Sequence, residues 1–147
     1  SVDTPCRGSP EAVGRYQSRI SGPLLDRIDL GVPLERQSAA CLFDEAGGSE
    51  RSVTVRKRVA QCRKTQLQRQ GRLNSAVAPE DLLKACALSK PVQQWFESAC
   101  DRQSLSARSV HRTLRVARTL ADMAGEDNVQ ETRLMEALGY RPIISQR

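Results

Sequence analysis

Ser106-Ala107-Arg108-Ser109-Val110-His111-Arg112-Thr113-Leu114-Arg115-Val116-Ala117-Arg118-Thr119-Leu120-Ala121-Asp122-Met123-Ala124 is the stretch that decides the fold. Ala107, Val110, Leu114, Ala117 and Ala121 recur at spacings of three and four, which lines them up on one side of an α-helix. Val116, Leu120 and Met123 widen that side to well over half the circumference. A helix apolar over so much of its surface belongs near the centre of a bundle. What remains is a narrow polar strip of Arg108, Arg112 and Arg115, flanked by His111 and Asp122. Arg108 falls in the first turn, just after the N-cap candidate Ser106. A guanidinium there offers a bidentate fork to phosphate oxygens, and the free N–H groups of the helix start add positive potential. Two readings stand on physics alone, a phosphate site and a set of intramolecular salt bridges, and spacing favours the second.

Working outward, four more helices surround this one. Residues 52–72 form a long basic helix, 79–88 opens on Pro79-Glu80-Asp81, and 91–100 carries Val92, Trp95, Phe96 and Ala99 at helical spacing. Residues 128–138 close the set, with Asn128 and Glu131 spaced as a capping-box pair. Five helices in under 100 residues with short joints predict a mainly α protein, a compact helical bundle. Between Arg51 and Leu73 stand eight cations and no acid, among them Arg56, Lys57, Arg63, Lys64 and Arg69. Val55, Val59 and Cys62 share the predicted buried face, with Ala60 and Leu67 toward one flank. The cations are either phosphate ligands or a solvated face paired with neighbouring acids.

Residues 1–50 read differently. They hold most of the prolines and glycines and end in Asp44-Glu45-Ala46-Gly47-Gly48-Ser49-Glu50, a linker. Residues 10–17 predict a short helix. Ile28, Leu30, Val32 and Leu34 alternate as a strand would, but a lone strand lacks partners for its backbone. The segment is therefore expected to be poorly ordered by itself, with one orphan strand. Arg27 precedes that strand between Asp26 and Asp29, and on spacing alone a local ion pair is the better reading.

Composition removes several classes. The chain has 147 residues, a net charge of +6 and 3% aromatic residues. No stretch approaches the roughly 20 apolar residues of a membrane span, and five aromatic rings are too few for a stacking platform on single strands. The five cysteines form no CxxC pair and the single His111 has no ligand at metal spacing, so no metal is expected. No secretory leader opens the chain, which points to the cytoplasm. It begins on Ser1 rather than Met, as expected of a processed or excised piece. No GxxxxGK[ST], GxSxG or HExxH occurs.

Arg19-Ile20-Ser21-Gly22-Pro23-Leu24-Leu25-Asp26-Arg27-Ile28-Asp29-Leu30 resembles the end of the ATPase core in Mg-chelatase-like AAA+ proteins, especially the ComM/YifB group. The resemblance continues through Val59, Cys62-Arg63, Gln66, Arg69 and Asn74. It runs on through Leu105-Ser106-Ala107-Arg108, His111-Arg112 and 116–122 to Glu136-Ala137-Leu138 and Tyr140-Arg141. It implies that residues 1–50 are the end of the core and a linker, and that 51–147 are the helical lid. Arg27 would be the arginine finger that reaches a neighbouring subunit's nucleotide, and Arg108 the sensor-2 arginine, with Arg112 and Arg115 nearby. ATP and Mg would be held by an upstream core carrying the P-loop and Walker B acid, in a homo-oligomeric ring, and the chain would be inert alone. The group is associated with DNA branch migration in natural transformation, which would suit Arg56, Lys57, Arg63, Lys64 and Arg69 as DNA contacts. Related proteins show C-x-C near Tyr16, part of a metal-binding insert; here Cys6 is followed by Gly8 at the second position, so no metal is implied. The competing reading is a free-standing basic helical module that binds nucleic acid.

Overall fold

The computed structural model describes residues 9–17, 19, 27–34 and 50–141. Two compact units divide the chain, one of Ser1–Ser49 with Pro142–Arg147 and one of Glu50–Arg141.

In the first unit, helix α1 spans Pro10–Gln17. Ser9 starts it, its Oγ accepting from the Ala12 N–H at 3.3 Å. Residues 28–34 carry no strand, contrary to the alternation of their side chains. Ile28, Leu30, Val32 and Leu34 are all exposed, rising to 86% at Leu34. Alternation marks a face that a sheet could bury, but among the described residues no second strand offers hydrogen bonds or cover. The expected poor order of residues 1–50 falls mostly on positions outside those described, as do Cys6, Cys41 and the 44–49 linker.

The second unit is the predicted helical bundle. Helix α2 (Ser52–Gln70) is followed by a 3₁₀ turn (Asn74–Ala76), α3 (Pro79–Cys86), α4 (Lys90–Arg102), α5 (Ala107–Ala124) and α6 (Glu131–Gly139). Gly71 ends α2 at φ 69°, a left-handed conformation that lets its N–H close back on the Leu67 carbonyl. Ser106 caps α5 as expected, its side chain accepting from the Ser109 N–H. Helix α6 departs from expectation at its start. It begins at Glu131 after Gln130, and no side chain caps it. The preceding Val129 is instead drawn into the core, 1% exposed, with its N–H donated to the Cys86 carbonyl at 2.9 Å.

Helix α5 packs against α2, α3 and α6, and α4 packs on α6. Ala117 and Ala121 are completely buried, so neighbouring helices approach closely where side chains are smallest. Leu82, Leu114 and Leu134, each at most 1% exposed, join Phe96 and Val129 around them. Each such leucine contributes about 1.5–3 kcal/mol by leaving water. Met123, assigned to the apolar face, lies at its rim and is 47% exposed. Among the described residues no helix is long and apolar enough to cross a membrane.

Candidate functional site

The polar strip on α5 has the arrangement its spacing predicts. At 100° per residue Arg108, Arg112 and Arg115 occupy an arc of about 60°. Arg108 is exposed in the first turn, and Arg112 and Arg115 are half-buried. Neither Arg108 nor Arg112 is without a partner. Arg115 leans off the strip toward the bundle. Its Nη2 donates to the Val77 carbonyl at 3.0 Å, while its buried Nε has no partner. His111 is half-buried beside them.

One arginine of α5 escaped the sequence reading. Arg118 is 1% exposed and is the largest fully buried side chain among the described residues. Its Nε donates to Asp122 Oδ1 at 3.1 Å, one turn along the helix. Its Nη1 donates to the Asp127 carbonyl at 2.7 Å and its Nη2 to the Glu126 carbonyl. Arg118 thus gathers the carbonyls that follow the end of α5, where a cation is favoured by the helix dipole. The Asp122 side chain is itself fully buried. A charge so placed is tolerable only when paired and hydrogen-bonded, and here it is.

The other claims on Asp122 come from α2 and the turn after it. Arg69 donates to both carboxylate oxygens, the Nη2–Oδ2 distance being 3.0 Å. Asn74 Nδ2 donates to Asp122 Oδ2 at 2.8 Å and to Thr119 Oγ1 at 3.0 Å. Asn74 Oδ1 accepts from Arg69 Nη2 and from Gln70 Nε2, each at 2.9 Å. Its backbone N–H donates to Gln66 Oε1 at 3.0 Å, and Gln66 Nε2 reaches Cys62 Sγ at 3.3 Å. Cys62, Gln66, Arg69 and Asn74, residues of the run that carried the resemblance, therefore form one network closing α2 onto α5. Arg69, taken from its charge as a DNA contact, spends its guanidinium on Asp122 and Asn74. Four of the five cations proposed for DNA stand elsewhere. Arg56, Lys57, Arg63 and Lys64 are exposed on the outer face of α2, flanking Val53, Ala60 and Leu67 at seven-residue spacing. The buried face of α2 also differs from expectation: it is Cys62 and Gln66, while Val59 is 46% exposed. Polar side chains can occupy a helix interface where each finds a partner, and hydropathy spacing does not register this.

The described thiols are buried and free. Burial pushes Cys86 from the ordinary 9.0 up to about 11, and its Sγ faces the Leu114 carbonyl at 3.6 Å. At pH 8 the thiolate population is then about 100-fold below that of an ordinary thiol. Alkylation of native Cys86 at pH 8 is accordingly expected to be at least that much slower than after unfolding, as followed by peptide mass spectrometry. The folded chain holds this proton more tightly than the unfolded one. The associated stability is present below pH 9 and is lost as pH rises toward about 11. A native rate equal to the unfolded rate would contradict the burial. Among the described residues no group of three or more His, Cys, Asp or Glu side chains could hold a metal ion.

Arg27 lies in the other unit, exposed at a turn just before residues 28–34. Its neighbour Asp26 is outside the described residues.

The profile of the family described as magnesium chelatase, subunit ChlI C-terminal, matches residues 49–141, the whole of the helical bundle. The chain belongs to the magnesium chelatase ChlI family. A second profile, magnesium chelatase, subunit ChlI, matches residues 1–42. The chain is 36% identical to the competence protein ComM of Haemophilus influenzae over 138 residues, 94% of its own length. It is 37% identical over 137 residues to the protein YifB of Salmonella typhimurium, covering 93% of its length. A Mycobacterium tuberculosis protein is 39% identical over 137 residues, 90% of this chain. This ChlI-type chain spans 27% of the length of each of these relatives. Its α5, with the arginine strip at one end and the buried ion pair at the other, lies inside the C-terminal match.

Proposed function

We propose that this chain is the end of the core and the helical lid of a ComM-type AAA+ ATPase. In that role it senses bound nucleotide through arginines and couples ATP hydrolysis to DNA remodelling in the cytoplasm. The observation that carries the reading is Arg108, exposed in the first turn of the helix around which the ChlI-type bundle is packed. The name of the Haemophilus relative, competence protein ComM, supports the DNA side of it. A phosphate group suits an arginine on an exposed position, as Arg108 is in the bundle and Arg27 is, separately, in the other unit. ATP and Mg would be bound mainly by an upstream core of the same protein in a homo-oligomeric ring. Hydrolysis spreads negative charge over phosphate oxygens. Cations already fixed toward those oxygens stabilise the transition state without reorganising. Arg108 would supply such a cation from the lid, with Arg112 beside it. Arg115 would act mainly in holding α5 to the Val77 backbone.

In the intact ATPase, Arg108→Ala is expected to lower kcat by roughly 10²-fold. Unchanged turnover would sink the nucleotide role. The DNA role falls to Arg56, Lys57, Arg63 and Lys64 on the outer face of α2. Neutralising all four should flatten the plot of log affinity against log salt, by about 0.9 for each duplex phosphate that no longer meets a cation. An unaltered slope would place DNA elsewhere on the ring. The second reading, a free-standing nucleic-acid module, rests on the same exposed cations. It predicts DNA affinity for the chain alone and no dependence of any activity on Arg108.

A further inference from the structure

We infer that Arg69, Asn74 and Asp122 are positioning residues, which set the rotation of α5 against α2 and thereby aim the Arg108 strip. This rests on the nucleotide role proposed for Arg108. Asn74 is the key piece. Its Nδ2 grips α5 at two points, Thr119 Oγ1 and Asp122 Oδ2, which lie three residues apart on adjacent turns. Its Oδ1 accepts from Arg69 and Gln70 at the end of α2, and its N–H is tied to Gln66. Every hydrogen-bonding atom of the side chain is engaged on one helix or the other, so no sliding or turning of α5 preserves the set.

Thr119 follows Arg108 by eleven residues, three turns and about 16 Å along α5, and at 100° per residue it lies about 20° from Arg108 around the axis. The gripped line and the arginine strip are therefore the same line on one continuous helix. A turn of α5 by about 20° would carry a group at the helix surface about 2 Å sideways. Misplacement of about 1 Å can cost roughly 100-fold in rate where catalysis depends on fixed geometry. The network is more than the bundle needs to bury its apolar surface. Apolar burial is non-directional, whereas a carboxylate fed by three donor groups is satisfied only where their directions meet.

Two measurements test this. In the 147-residue chain, Asn74→Ala should raise the alkylation rate of Cys62, which lies in the α2–α5 seam, by roughly tenfold relative to Cys86 in the core. A ratio unchanged from the wild type overturns the grip. In the intact ATPase, Asn74→Ala and Arg69→Lys, which keeps the charge but loses the fork, should each lower kcat for ATP by roughly tenfold or more. Combining either with Arg108→Ala should cost nothing further, because the positioning acts through that arginine. Multiplying losses, or full turnover in both single variants while Arg108→Ala is impaired, overturns the positioning role. Full turnover in Arg108→Ala itself overturns the nucleotide reading, and the positioning role with it. Asn74→Ala and Arg69→Lys thus separate failure of the inference from failure of its premise.

Discussion

In the ring ATPase proposed above, Arg27→Ala is expected to reduce ATP turnover by roughly 10³-fold or more while leaving nucleotide affinity nearly unchanged. The expectation follows from where an arginine finger acts. Its charge matters little while ATP is bound at rest and most when negative charge builds on the transferring phosphoryl oxygens. Arg27 is exposed and lies within the residue 1–42 match to the ChlI subunit, and exposure is what a group serving another subunit requires. Acting in trans has its own signature. Arg27→Ala subunits should be inactive alone and regain turnover when mixed with subunits that lack the Walker B acid. In a mixed ring, a subunit that has its Walker B acid but carries Ala in place of Arg27 can receive Arg27 from a neighbour that lacks the acid, which completes one site. Turnover within twofold of the wild type for Arg27→Ala would end the finger assignment. Loss of turnover without recovery on mixing would place Arg27 in its own subunit's chemistry.

The second large effect concerns stability. Asp122→Ala should destabilise the Glu50–Arg141 unit by about 3–5 kcal/mol, because it strips the partner from a guanidinium that is 1% exposed. Arg118 would keep its bonds to the carbonyls of Glu126 and Asp127 but would carry an uncompensated charge in the core. Arg69 would lose its partner too, at the edge, where water can replace it. For a unit of this size the melting temperature should fall by about 15–30 °C, read from the helical circular dichroism signal. The contrast is Arg58→Ala. Arg58 pairs with Glu50 at 2.9 Å in a solvated setting, both side chains more than 40% exposed. That variant should change stability by under about 1 kcal/mol. A loss as small as this for Asp122→Ala would mean that the buried pair contributes nothing to the fold.

The two variants differ for a reason that bears on what can be read from residues in order. Asp122 and Glu50 look alike in sequence, each an acid within reach of an arginine on a helix. Periodicity located the five helices of the bundle and the Ser106 cap because those depend on neighbours one or two turns away. It missed the start of α6, where Val129 follows a tertiary hydrogen bond rather than the capping pair suggested by Asn128 and Glu131. It also took the alternation of Ile28, Leu30, Val32 and Leu34 for a strand, although pairing partners decide whether a strand forms. Arg118 went unnoticed for a related reason. A cation on a helix beside three others reads as solvated, and its burial becomes visible only when Asp122 and the carbonyls of Glu126 and Asp127 are seen around it.

The sequence by itself determined the helical class, the central place of α5, the location of the arginine strip and the family resemblance. These rest on local spacing and on residues read in order. Only the tertiary structure decided which cations are available. It withdrew Arg69 to a carboxylate 53 residues away and left Arg56, Lys57, Arg63 and Lys64 outside. The physical reason is that an arginine carries the same charge wherever it stands along a chain. Its energy depends on the dielectric and the donors around it, and the folded chain assembles those from distant parts of the sequence.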